Sequence, residues 1–267
     1  MDVSVIIVNY NTKDLTLACI ESVMEKTSGI DYEILLVDNA STDGSRELFE
    51  RDNRISYLYL EQNLGFGKAN NKAVDIAKGR NVLFLNSDTL LVNNAIKILS
   101  DYLDENEKVG ACGGNLFTEE MAPAQSYEAW APSMLTAVNG FLRDIPSKIF
   151  AGKSARFNHT KAPKNVAYIT GADLMVKQSV LQQVGGAFDP RFFMYYEDTE
   201  LCYRIKKNGF LIQSVPSAEI IHLAGRSAKS NKSKKAQVSE SRDIYFSLTG
   251  RRPWYSAVCR FFSNLTF

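Results

Sequence analysis

Residues 3–43 read VSVIIVNYNTKDLTLACIESVMEKTSGIDYEILLVDNASTD, and this stretch decides the fold. Val3–Val8 (VSVIIV) and Glu33–Val37 (EILLV) are almost continuously apolar rather than alternating. Such runs belong to strands covered on both faces, as in parallel sheets. Between them Thr12 can cap a helix whose apolar positions Leu15, Cys19 and Val23 recur every four residues.

The same rhythm continues outward. Ser41 and Asp43 offer caps for a helix through about Arg51, and Ile55–Leu60 reads as a third strand. A helix near Lys68–Ala77, a strand at Val82–Leu85 and a helix at Asn93–Asp104 follow. This alternation predicts an α/β fold built on a single, Rossmann-like, mostly parallel sheet with helices on both faces. The rhythm breaks after Asn115. Residues 116–165 mix prolines, Trp130 and other aromatics without a period and read as an irregular insert beside the site. Order returns at Val166–Ile169 and Leu174–Val176, then as helix signals at Gln178–Val184 and Asp198–Asn208. Leu211–Val215 and Ala218–His222 read as short strands, and 225–240 as a flexible polar stretch.

Composition bounds the chemistry. The chain has 267 residues, 45% hydrophobic and 23% charged, which is ordinary for a soluble globular protein. Cys19, Cys112, Cys202 and Cys259 are scattered, with no metal-type spacing, and point to a reducing compartment. No run approaches the length of a membrane span, and no basic segment precedes the first strand, so neither an anchor nor a signal peptide is read. From Arg226 to Arg260 nine Lys/Arg stand against Glu240 and Asp243. With Trp254, Tyr255, Phe261 and Phe262 this makes a basic aromatic end suited to an anionic membrane surface, or to packing on the body or a second subunit. No basic stripe interleaved with stacking aromatics points to nucleic acid.

The polar residues fall where the strands end. Asn9 follows the first strand, Asp38 the second, and Asn86 and Asp88 the fourth. In a parallel sheet these are carboxyl ends on one edge, where open α/β sheets bind ligands. A dinucleotide fingerprint needs three spaced glycines after the first strand, but Asn9-Tyr10-Asn11-Thr12 stands there. Around Gly67-Lys68 the leading Gly and trailing Ser/Thr of a phosphate loop are replaced by Gln62 and Ala69.

Six further stretches now line up. Val37-Asp38-Asn39-Ala40-Ser41-Thr42-Asp43-Gly44-Ser45, Asn63-Leu64-Gly65-Phe66-Gly67 and Asn86-Ser87-Asp88 follow Val8-Asn9-Tyr10-Asn11 in order. Thr170-Gly171-Ala172-Asp173, Phe188-Asp189-Pro190 and Tyr196-Glu197-Asp198 complete the set. Over roughly residues 1–225 the chain resembles family 2 glycosyltransferases of the GT-A fold. His222-Leu223-Ala224-Gly225-Arg226-Ser227 points to the rhamnosyltransferase-like branch. The resemblance implies a nucleotide-binding half (1–115), an acceptor-side half (116–225) and a basic C-terminal extension (226–267). It implies inverting transfer of a sugar, rhamnose in that branch, from a dTDP-, UDP- or GDP-sugar to a saccharide or lipid-linked acceptor. The setting would be surface polysaccharide synthesis in the cytoplasm, at the inner face of the membrane.

The resemblance also distributes roles. Asp38 would accept from the base N–H, and Asn9 and Tyr10 would line the base pocket. Asn63, Gly65 and Lys68 would lie under the nucleotide, and Asn86 would meet the ribose. Asp88 and His222 would hold Mn²⁺ or Mg²⁺, which suit oxygen ligands beside a diphosphate. Asp198 would be the catalytic base, although Asp at a helix start is also a common cap. Glu197 would contact the acceptor or steady Asp198, Asp173 would contact a sugar near the diphosphate, and Arg226 would bind the diphosphate. A nucleotidyltransferase and a non-catalytic sugar-nucleotide binder remain as alternatives. A glycoside hydrolase fits poorly, because adjacent Glu197 and Asp198 cannot flank a glycosidic bond.

Overall fold

The computed structural model describes residues 1–142, 155–223 and 231–264. Its centre is a nine-stranded sheet. The N-terminal strands are β1 (Val3–Asn9), β2 (Tyr32–Asp38), β3 (Ser56–Tyr59), β4 (Asn81–Asn86) and β5 (Thr89–Leu91). Then come β6 (Val109–Phe117), a short β7 (Tyr127–Glu128), β8 (Lys164–Asn165) and β9 (Tyr168–Ile169). The last are β10 (Asp173–Lys177) and β11 (Leu211–His222). The spatial order is β3-β2-β1-β4-β10-β6-β11-β5, with β8 on β11, while β7 and β9 form a separate pair.

Buried strands alternate their side chains between two cores, because successive side chains point to opposite faces. Val5, Ile7, Ile34, Leu36, Leu83 and Leu85 face one core. It is closed by α1 (Lys13–Lys26) through Cys19, Ile20 and Val23, by α2 (Ser45–Phe49) through Phe49, and by α4 (Ala95–Glu105) through Ile96, Leu99 and Leu103. Ile6, Leu35, Val37, Val82 and Phe84 face the other. There α3 (Phe66–Val74), α6 (Gln178–Gln183) and α7 (Glu197–Lys207) contribute Ala69, Ala73, Leu181, Leu201 and Ile205. Each fully buried Leu or Ile contributes about 1.5–3 kcal/mol over an exposed one. Helices on both faces are as expected.

The structure adds to the reading at two points and corrects it at a third. The sheet is parallel from β3 through β4, but β10 runs antiparallel to both β4 and β6, and β5 antiparallel to β11. β6 itself is central yet unreadable in sequence, because Gly110, Gly113 and Gly114 give it poor strand propensity. Those glycines answer to crowding: a Cβ at Gly113 would stand 2.4 Å from the Ile169 side chain, and one at Gly114 2.5 Å from the Ala218 carbonyl oxygen. Finally, the stretch read as flexible is in part α8 (Asn231–Leu248), which with α9 (Pro253–Asn264) follows the sheet. Tyr245, Phe246 and Cys259 bury themselves with Phe192 in a third core, joined by Met134 of α5 (Met134–Phe141). All four cysteines are buried thiols, and none forms a disulfide. Among the described residues no helix is long and apolar enough to cross a membrane.

Candidate active site

The carboxyl ends of β1, β2 and β4 are level with one another: Asn9 pairs with Asp38, and Val8 with Asn86. The loops that leave them are laced together by side chains. Asn9 accepts at Oδ1 from Thr12 Oγ1 (2.9 Å) and Thr16 Oγ1 (2.9 Å) and donates from Nδ2 to Ser41 Oγ (3.0 Å). Asn11, at φ +55°, accepts from the Thr42 amide at 2.7 Å. The expectation that Asn9 lines a pocket is therefore corrected. It is fully buried, and its amide braces the loops from behind. Tyr10, by contrast, is 38% exposed at the rim.

Asp38 is also fully enclosed. One carboxylate oxygen accepts from the Ser41 N–H (2.8 Å), the turn that its sequence context allows, and the other from the Tyr57 hydroxyl (2.9 Å). Burial and this carboxylate together push the Tyr57 hydroxyl far up its ordinary range. Direct contact between Asp38 and a base requires Tyr57 to yield.

Asn63 shapes the next loop. Its Oδ1 accepts from the Gly65 N–H (2.9 Å) and from Asn39 Nδ2 (3.0 Å), while Asn39 Oδ1 accepts from the Leu64 N–H (2.8 Å). Gly65 sits at φ +84°, and a Cβ there would lie 2.3 Å from the Phe193 carbonyl oxygen. That close approach lets the Phe66 N–H bond the same carbonyl at 2.8 Å. Lys68 is exposed on the first turn of α3.

Strand pairing assembles a second group. Because β11 pairs with β5, His222 stands opposite Thr89, and the Leu223 N–H bonds the Asp88 carbonyl. His222 Nε2 lies 3.2 Å from Asp88 Oδ1 and 3.4 Å from Asn86 Nδ2. Two adjacent ligands with bonds of about 2.1 Å to one cation stand about 3 Å apart. The carboxylate–imidazole pair thus fits a divalent cation as a partial donor set. Among the described residues no cluster of three or more His, Cys, Asp or Glu could hold one alone, so substrate oxygens or water must complete it. Asp173 is fully buried nearby. Oδ2 accepts from the Gly114 N–H (2.5 Å) and Oδ1 has no partner. Burial pushes its carboxyl up to about 7, against the pull of the Gly114 N–H and of His222.

The third group opens α7. Tyr195 and Tyr196 both hold positive φ, +71° and +67°, which is strained backbone for a bulky residue. Asp198 Oδ2 then accepts from the Gly171 N–H at 2.8 Å, and Oδ1 from the Thr199 N–H at 2.6 Å. Burial raises the Asp198 carboxyl, and these N–H donors pull it back. Glu197 is buried with Oε2 unpartnered; burial and then the Asp198 charge push it up to about 8. Arg204 is structural, bonding Glu200 at 2.8 Å and the carbonyls of Val184 and Gly186. Arg226 lies outside the described residues. Sequence reading missed Tyr57, Asn39 and the paired tyrosines; the positive φ of the latter leaves no mark in composition or period.

The sequence model described as Glycosyl transferase family 2 matches residues 4–184, more than half of the chain. The chain belongs to that family. Relatives of this glycosyltransferase chain include the O-antigen biosynthesis protein RfbC of Myxococcus xanthus, 27% identical over 94% of this chain and 19% of that protein. Another is the N-acetylglucosaminyl-diphospho-decaprenol L-rhamnosyltransferase of Mycobacterium tuberculosis (strain CDC 1551 / Oshkosh), 30% identical over 71% of this chain and 66% of that protein. The chain thus spans about a fifth of the one and just under two thirds of the other. Among solved structures, GalNAc-T7 with UDP, GalNAc and Mn²⁺ superposes with a TM-score of 0.65 at 17% identity, over 94% of this chain and 50% of that one. At that identity the likeness establishes the GT-A fold.

Proposed function

We propose that this chain transfers a sugar, with inversion, from a nucleoside diphosphate sugar to a saccharide or lipid-linked acceptor in surface polysaccharide synthesis. One observation carries the reading. The tripeptide Gly171–Asp173 holds both chemical groups: its Gly171 N–H bonds Asp198, and its Ala172 carbonyl accepts from the Asn86 N–H at 3.0 Å. A base for the attacking hydroxyl and a site for the departing diphosphate are thereby tied to one short segment.

In this reading Asp198 takes the proton from the acceptor hydroxyl as that oxygen attacks the anomeric carbon from the face opposite the leaving group. Asp88 and His222 hold a divalent cation, Mn²⁺ or Mg²⁺, which when bound stabilises the charge on the diphosphate. The pairing of Asp88 with His222 supports this, as does the Mn²⁺ in the GalNAc-T7 structure. Tyr10 and Asp38 face the base side, Asn86 the ribose, and Lys68 the phosphates; Asn63 and Gly65 hold the floor. Asp173 lies at the sugar, and Glu197 beside the base. Rhamnose as the sugar and a lipid-diphosphate acceptor are favoured by the name of the mycobacterial relative. A seat at an anionic membrane surface is supported by exposed Leu135, Trp254 and Phe261, with Arg251 and Arg252 exposed just ahead of Trp254 in the chain.

Calorimetric titration of UDP, dTDP and GDP, each with and without Mn²⁺, tests the donor site. One of them is expected to bind tightly only with Mn²⁺, and Asp88→Ala to weaken that binding about tenfold or more. Absence of binding by all three under both conditions overturns the proposal.

A further inference from the structure

A cavity of about 120 Å³ lies beside the strained turn, lined by Glu128, Trp130, Thr136, Arg156, Tyr168 and Tyr196. We propose that it seats the acceptor's sugar ring, stacked on Trp130 with its hydroxyl edge toward the Glu128–Arg156 pair. This rests on the transfer reading above and names the acceptor site that reading leaves open.

Position comes first. Tyr196 immediately precedes Glu197 and Asp198, and Tyr168 stands three residues before Gly171, whose N–H bonds Asp198. One wall is therefore two residues from the proposed base along the chain, and a second is three residues from the amide that bonds it. Tyr196 is fixed by its positive φ and by the Tyr245 ring, 5.6 Å away between centroids. The third wall comes from the irregular insert, where the Ala129 N–H bonds the Ala155 carbonyl at 3.0 Å and sets Trp130 near Arg156.

Size and chemistry follow. The space is roughly ten times what one ordered water needs, too much for an ion. It falls short of the roughly 300–1,000 Å³ of sites that enclose a whole drug-sized ligand such as a nucleotide. A single sugar ring lies between these limits. Such a ring has a C–H face, which a flat indole matches, and an edge of hydroxyls that both donate and accept. Glu128 Oε1 accepts from Arg156 Nε at 2.7 Å and from Gln125 Nε2 at 3.0 Å, which fixes a carboxylate and a guanidinium side by side in the wall. Trp130 is 42% exposed, so its indole has area to cover. A larger cavity of about 300 Å³ shares Tyr168 but has no carboxylate in its wall.

The test uses the full chain, dTDP-rhamnose as donor and a short-chain lipid-diphosphate N-acetylglucosamine as acceptor. Trp130→Ala is expected to raise the acceptor KM about tenfold, leaving kcat within about threefold and nucleotide affinity unchanged. Trp130→Phe is expected to recover most of the loss, and Glu128→Gln to raise the acceptor KM several-fold. In a Trp254→Phe background Trp130 is the one remaining tryptophan, and its emission is expected to shift when acceptor is added without donor. Normal transfer with an unmoved acceptor KM in both variants, and unmoved emission, overturns the cleft while leaving the transfer reading standing. Nucleotide binding without any transfer by the unsubstituted chain overturns this donor–acceptor pairing, and the cleft's occupant with it.

Discussion

The two halves of the sheet edge spend their polar groups in opposite ways. On the side of β1 and β2, Asn9, Asn11, Asn39, Asn63 and Ser41 bond one another and the backbone, so the loops are fixed and their side chains occupied. On the side of β10 and α7, Asp173 and Glu197 each keep a buried oxygen without a partner, and Glu197 follows a backbone turn held at positive φ. Buried carboxylates left this way cost stability, and such cost gathers where chemistry is done. In the proposed reading one half is a braced cradle, and the other stores the reactive groups.

Predictions follow from that contrast. Asp198→Ala is expected to lower transfer about 10²–10⁴-fold while nucleotide affinity stays as it was. Retention of more than a few per cent of the rate would remove the base from this half. Gly65→Ala strikes where the halves meet, since its methyl group would collide with the Phe193 carbonyl at a positive φ. A loss of about 1–3 kcal/mol in denaturant unfolding is expected, together with weaker nucleotide binding. An unchanged midpoint would mean that the two loops are not wedged together.

The smallest effect concerns pH. Glu197 is held up to about 8 in the folded chain and titrates near 4.5 when unfolded. The folded state therefore binds the extra proton between those values, and stability falls as pH rises from about 4.5 to about 8, then levels. The slope from this one group is at most about 1.4 kcal/mol per pH unit. Glu197→Gln is expected to flatten that part of the curve; parallel curves for the two proteins from pH 5 to 8 would refute it.

Much of the cradle was legible in the sequence, and less of the reactive half. Val3–Val8 and Glu33–Val37 announce buried strands, so the positions of Asn9 and Asp38 at strand ends followed directly. What sequence could not separate was a residue that lines a pocket from one that braces it, because Asn9 serves either purpose with the same atoms. The reactive half hid behind two physical facts. β6 carries glycines demanded by tertiary crowding, which overrides strand propensity. The strain at Tyr195 and Tyr196 is imposed by what surrounds them, and neither residue type signals it.

The short segment Gly171–Asp173 acts as a ruler. Its last residue is registered against Leu85 in the sheet, its middle carbonyl holds Asn86, and its first amide holds Asp198. One end of the ruler is registered in the sheet, and the other lies in the turn before β10, where the insert also holds the Thr170 N–H through the Ser126 carbonyl at 3.2 Å. In the proposed reaction, the part of the insert beyond those contacts, Trp130 included, can be rewritten to suit another acceptor without recalibrating the span between attack and departure. In a fold built this way, specificity and reactivity are separable, and new linkages can arise by exchanging one stretch of chain.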